Sequence, residues 1–144
     1  MPLLAGQIFK ASQANHLRPT KYSAVGTGTL TGAVSNTDVP DATITLTTET
    51  DGAEYSAWCV WDVDLSGATT GLGFGRLNLD GSNLNPLSTY AQEVTTDRLT
   101  VPQNYRGTIP TAGTHTFKLV ATLVANQQIL GVNTSILVEI AEVV

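Results

Sequence analysis

The chain is short of charge, of cysteine and of long apolar runs, and each shortage closes off a class of protein. Lysine, arginine, aspartate and glutamate make up 13% of its residues, about half the share usual in globular chains. Polarity rests on hydroxyls instead: 22 of the 144 residues are threonine, more than any other type. The Lys and Arg residues are scattered, whereas a nucleic-acid binder clusters them to displace counterions from phosphates, so no nucleic-acid partner is expected. Cys59 is the single cysteine. It cannot form an intramolecular disulfide, and its setting between Ala57 and Val60 predicts a buried, inert thiol. No apolar run approaches the roughly 20 residues that span a bilayer. The opening M-P-L-L-A-G-Q-I-F-K has neither the basic start nor the apolar length of a signal peptide. Synthesis in a cytoplasm, with no membrane partner, is the expectation.

The charge that is present is uneven. Residues 1–40 hold Lys10, Arg18 and Lys21 against Asp38, a balance of +2, while residues 41–100 hold nine acids against Arg76 and Arg98, a balance of −7. A mildly basic leading arm on an acidic body suits an acidic protein surface as partner, or is incidental solvation.

The remaining signal is a pattern of strands. Thr111 to Val124 opens on a turn at Ala112-Gly113 and then alternates, with Phe117, Leu119, Ala121 and Leu123 on one face and Thr116, Lys118, Val120 and Thr122 on the other, which predicts a half-buried strand with His115 on its polar side. Tyr55 to Val63 carries large groups on both faces, as a strand covered on both sides requires, and places Trp58 and Trp61 on opposite sides. Asp51-Gly52 and Asp80-Gly81 read as turns, the first as a hairpin joining Ala42–Leu46 to the strand after it. Val25 to Val34 reads as a strand interrupted by glycines, which mark bulges, bends or close backbone approaches. Ser66 to Gly71 and Asn83 to Asp97 read as loops, followed by a short strand at Arg98–Val101 and a connection from Pro102 to Pro110. Ile136, Val138 and Ile140 face one way in a closing strand. Eight to ten strands with regular turn signals predict an all-β fold, a jelly-roll β-sandwich over residues 21–144. Residues 1–20 form a separate short arm with a brief helical turn over Gln13–Leu17, capped by Ser12 and stopped before Pro19.

Chemistry is harder to find. His16 and His115 have no nucleophile and orienting acid that sequence can assign to them, so no catalytic relay and no enzyme activity is expected. Asp62 and Asp64 share a strand face and, with Asp80, are candidate calcium ligands. The chain lacks the D-x-D-x-D-G loop, however, and solvated carboxylates are the competing reading. The same pair raises a glycosidase, without a sign of which carboxyl would be the acid. No metal and no cofactor is expected. One of Trp58 and Trp61 belongs to the core, and the other to the core, an interface or a ligand platform. Asn133-Thr134-Ser135 matches a glycosylation pattern but reads as a strand-edge triplet.

The arm P-L-L-A-G-Q-I-F-K-A-S-Q-A-N-H-L, the segments L-N-L-D-G and R-L-T-V-P-Q-N-Y-R-G-T, and above all A-G-T-H-T-F-K-L-V-A resemble small virion structural proteins of tailed bacteriophages. In that family a short arm precedes a jelly roll distantly like those of the trimeric complement and tumour-necrosis-factor proteins. The resemblance implies a homotrimer on the virion, assembled in the bacterial host's cytoplasm. Ile8, Phe9 and Leu17 would dock it to the major capsid protein or another virion protein. Receptor-binding members carry a longer stalk, so the short chain favours a capsid decoration or spike protein. The alternative is a tail adhesin that reads a host-surface glycan or protein through loop residues Gly67, Gly71, Asn83, Asn85 and Tyr90.

Overall fold

A computed structural model describes residues 18–142. The expected arm, with Ile8, Phe9, Leu17 and its helical turn, lies outside these residues except at its last positions. The described body is all-β. In chain order the strands are β1 (Thr20–Val25), β2 (Thr29–Thr31), β3 (Val34–Thr48), β4 (Ala53–Leu65), β5 (Leu72–Leu79), β6 (Ser82–Asn83), β7 (Ser88–Ala91), β8 (Arg98–Ile109), β9 (Gly113–Leu123), β10 (Gln127–Leu130) and β11 (Ser135–Ala141). A single 3₁₀ turn, Gly131–Asn133, separates the last two.

Two antiparallel sheets share these strands. In the first, the order is β1-β11-β4-β8, with β10 continuing the line of β11 along the same edge of β4 and β2 outside it. In the second, the order is β3-β9-β5, with β6 and β7 in line along the other edge of β5. The chain changes sheet at six of its ten connections, and long-range neighbours such as β4 with β11 and β3 with β9 close the two interlocked Greek keys of a jelly roll. The sequence expectation of an all-β jelly-roll sandwich holds.

Period-two alternation explains the layering. On β4 the residues Ala53, Tyr55, Ala57, Cys59, Trp61 and Val63 point inward, and on β9 His115, Phe117, Leu119, Ala121 and Leu123 do so. Across the interior Tyr55 meets Phe117 edge to face with ring centroids 5.3 Å apart, an aromatic contact that joins the sheets.

Several local expectations change. Asp51-Gly52 does turn the chain, but β3 and β4 lie in different sheets, so it is a crossover and not a hairpin. Asp80-Gly81, with φ of 50° and 87°, makes the two-residue hairpin between β5 and β6. The expected strand Val25–Val34 is instead the end of β1, the short β2 and the start of β3, because Gly26, Gly28 and Gly131 bring two chain segments together: the Gly131 N–H donates to the Gly28 carbonyl at 3.1 Å, and a Cβ on Gly131 would lie 2.3 Å from that oxygen. Asn83–Asp97 contains β6 and β7. Finally, β8 runs unbroken through Pro102, which is tolerated because β8 pairs with β4 alone among the described residues.

Candidate interaction surface

The outward side of the first sheet is built by the other half of the same alternation. Register places Thr108, Glu54 and Ala141 in one row, then Arg106, Ser56, Glu139 and Lys21, then Asn104, Trp58, Leu137 and Ser23, and last Pro102, Val60, Ser135 and Val25. Lys21 and Glu139 form an ion pair at 2.7 Å. The two lower rows carry no charge, and their centre is Trp58, 37% exposed, beside Leu137, Val60 and Pro102. Trp61, three residues on, is 0% exposed and fills the core. The upper rows enclose a shallow depression of about 440 Å³ bounded by Pro19, Glu54, Ser56, Arg106, Thr108, Glu139 and Ala141.

Polar groups elsewhere are engaged in holding the fold. Asp62, 1% exposed, accepts from Arg98 Nε at 3.0 Å, Arg98 Nη2 at 2.6 Å and Asn133 Nδ2 at 2.8 Å. Hydrogen bonding from Arg98 holds its carboxyl below the usual range against the opposing effect of burial, with Asn133 assisting. Asp64 instead accepts from Gln128 Nε2 at 2.9 Å. Asp80 sits on the β5–β6 turn beside His115, so the three candidate calcium ligands do not converge. Among the described residues no group of three or more His, Cys, Asp or Glu is placed to hold a metal ion.

His115 is not on the polar side. It shares the parity of Phe117, is 7% exposed, and bridges Asp80 Oδ2 (2.7 Å from Nδ1) and the Thr111 carbonyl oxygen (3.0 Å from Nε2). Asp80 Oδ1 accepts from the Thr116 N–H at 2.8 Å. Partial burial raises the Asp80 carboxyl, but the hydrogen bonds from His115 and Thr116 outweigh it and leave the group below its ordinary value. The trio pins the β5–β6 turn to the start of β9. Cys59 is buried, and burial pushes its thiol up.

The predicted loop residues separate. Gly67 and Gly71 lie on the β4–β5 loop, which is tied to the β9–β10 turn by Asn126 Nδ2 donating to the Ala68 carbonyl at 2.9 Å. Asn83 lies on β6, where it accepts from Asn78 Nδ2 at 2.7 Å, and Asn85 is exposed just beyond. Tyr90 is no surface group: β7 turns its ring inward and it is 2% exposed. The loop that does stand beside Gly67 and Gly71 is residues 92–97, because Leu72 pairs with Ala91 and Asp64 with Arg98. Ala91, Gln92, Thr96, Asp97, Arg98 and Leu99 bound a depression of about 400 Å³ there. Sequence reasoning missed Gln92, whose Nε2 donates to the carbonyls of Val63 and Asp97, and no periodicity marks such a residue.

No protein-family model matches the chain, and no curated protein sequence does. Among solved structures, it is similar to part of dimeric latent PorU from Porphyromonas gingivalis, at 10% identity and a TM-score of 0.51 over 85% of this chain and 12% of that one. The infectious bursal disease virus Gt strain (17% identity, TM-score 0.49, 86% and 32% covered) also aligns. So does the CBM36-1 domain of a multidomain xylanase from the hindgut metagenome of Trinervitermes trinervoides (11% identity, TM-score 0.41, 87% and 99% covered). This chain thus spans a small part of the first two proteins. The likeness to PorU is one of fold alone, and the weaker two add nothing to it: the chain is a β-sandwich of jelly-roll type.

Proposed function

We propose that the chain is a non-enzymatic virion structural protein of a tailed bacteriophage, a capsid decoration or spike protein. It docks on the shell through its N-terminal arm, assembles as a homotrimer and stabilises the shell. The observation that carries this reading is the outward side of the first sheet. A self-sufficient jelly roll there presents an uncharged strip centred on Trp58, and apolar patches of this kind mark sites of association. Anything that binds the assembled shell and not its loosened form stabilises the former by mass action. The work is mechanical, and it needs surfaces in place of a catalytic constellation. Imaging of intact phage particles tests it. Density for this chain at regular positions on the head is expected, and removal of residues 2–19 abolishes attachment while leaving a folded oligomer. Particles decorated at full occupancy by the truncated protein end the proposal.

A second reading is a tail-associated receptor-binding protein that recognises a host-surface glycan or protein. It is favoured by the depression between Ala91 and Leu99, which lies at the same end as Gly67 and Gly71. Saturable binding on a glycan array, lost in a Thr96 and Leu99 double variant, would favour it over the decoration role.

A further inference from the structure

We infer that the depression between Ala91 and Leu99 takes the uncharged terminal sugar of a glycan, a pyranose that carries no carboxylate, sulfate or phosphate. The inference rests on the receptor-binding reading and names the ligand class of that site.

The walls of the depression are held in place before any ligand arrives. One is fixed by Gln92, 2% exposed, whose Nε2 donates to the carbonyls of Val63 at 3.1 Å and Asp97 at 2.9 Å. The loop of residues 92–97 closes on itself: the Asp97 N–H donates to the Val94 carbonyl at 2.9 Å, and Asp97 Oδ2 accepts from the N–H groups of Glu93 and Val94 at 3.1 and 3.2 Å. Arg98 is half-exposed, yet its guanidinium is set by the two bonds it donates to Asp62. A ligand therefore does not have to order these groups, and the entropy cost of binding is reduced accordingly.

The groups left over select the ligand. Among the described residues, Arg98 Nη1 is a donor without a partner and Gln92 Oε1 an acceptor without one, and Thr96 adds an exposed hydroxyl. A sugar hydroxyl answers both kinds of group, because one oxygen donates and accepts. Ala91 and Leu99, the latter 40% exposed, give an apolar wall for the C–H face of a pyranose ring. A carboxylate or phosphate is poorly served here. The fork of Arg98 that would grip such a group is already taken by buried Asp62. Asp64, which is in register with Arg98, and Glu93 and Asp97 on the loop then repel a further negative charge. The volume of about 400 Å³ lies toward the lower end of small-molecule sites, about 300–1,000 Å³, and suits the end of a glycan more than its length.

A glycan array, followed by titration of the full-length protein with the methyl glycoside of each terminal sugar that scores, tests this. Hits are expected among glycans that end in an uncharged sugar. Their affinity should change by less than about twofold between about 0.05 and about 0.5 M NaCl, since salt screens only charged contacts. The variant Thr96→Ala/Leu99→Ser alters two exposed side chains and is expected to weaken binding by about tenfold or more with an unchanged thermal midpoint. Should that variant fold poorly, the amide resonances of residues 91–99 in the unmodified protein are expected to shift on addition of the methyl glycoside. Hits confined to sialylated or sulfated glycans overturn the inference and leave the receptor-binding reading standing. Binding of neutral glycans that moves no resonance in residues 91–99 and survives the double variant overturns it as well. An empty array also overturns it, and the receptor-binding reading falls with it only if the protein fails to bind host cells.

Discussion

Gly75 offers the sharpest test of how the two sheets fit. It lies on β5 opposite Ala121 of β9 and Ser88 of β7, with its missing side chain directed at the indole of Trp61 from the other sheet. A Cβ there would sit 2.6, 2.7 and 2.9 Å from Cε2, Cδ2 and Nε1 of that ring. Non-bonded carbons rest about 3.5–4.0 Å apart, so the ring would have to retreat by about 1 Å. At 0% exposure Trp61 has no free space behind it, since protein interiors are packed like organic crystals. Overpacking of this kind costs about 1–3 kcal/mol, and removing a glycine from a strand returns about 0.5–1 kcal/mol. Gly75→Ala is therefore expected to destabilise the fold by about 1–2 kcal/mol. Urea unfolding followed by far-ultraviolet circular dichroism measures it. Because the two groups touch, Gly75→Ala/Trp61→Phe should lose less than the sum of its single variants. A Gly75→Ala protein as stable as the parent, or strictly additive losses, would refute the reasoning.

The polar clamps, the β5–β6 turn and the thiol each carry a further prediction. Asp62 and Asp80 both have folded-state pKa values depressed below the unfolded one, so each contributes stability that is present above about pH 4 and lost as pH falls through the folded value. Urea midpoints should fall as pH drops below that window, and an Asp80→Asn variant should show a smaller drop. Gly81→Ala places a Cβ at φ 87° in the β5–β6 turn and should cost about 1 kcal/mol, read as a lower thermal midpoint. Cys59 should resist an aromatic disulfide reagent in the native protein and react at once in denaturant; rapid native labelling would contradict its enclosure between the sheets.

Which parts of this molecule were legible in its sequence depends on the range of the physics. Alternation is local, and so the inward faces of β4, β9 and β11 could be read directly. Even His115 was within reach, since it shares the parity of Phe117. Its partner was not, because Asp80 arrives from 35 residues away through the β5–β6 turn. Asp51-Gly52 announced a reversal, yet turn chemistry is silent on which sheet the chain joins next. Pro102 suggested a break because the edge position that tolerates it is a tertiary property. Trp58 and Trp61 were seen to face opposite ways, but only the strand order decides which side the second sheet covers. The candidate surface is the extreme case, since its rows come from four strands spread between Lys21 and Ala141 and exist only once their registers are set.

The treatment of the sheet edges bears on how such a body associates. An exposed, regular edge strand is a template for pairing with another chain. Here β3, at the edge of the second sheet, breaks register between Val34 and Thr37 and again between Asp38 and Thr43, with Asn36 and Asp41 at φ of 46° and 60° and Pro40 between them. Bulges of this kind bend a strand away from a flat partner. At the edge of the first sheet, β8 carries Pro102 in its middle, which removes one donor from the row a neighbour would need. Both long edges are thus spoiled for sheet extension, while the strip around Trp58 presents apolar side chains on a sheet face. Contact through that strip buries side chains and leaves the backbone ladders untouched. A protein that must bind a chosen partner, and not polymerise edge to edge, gains from that division.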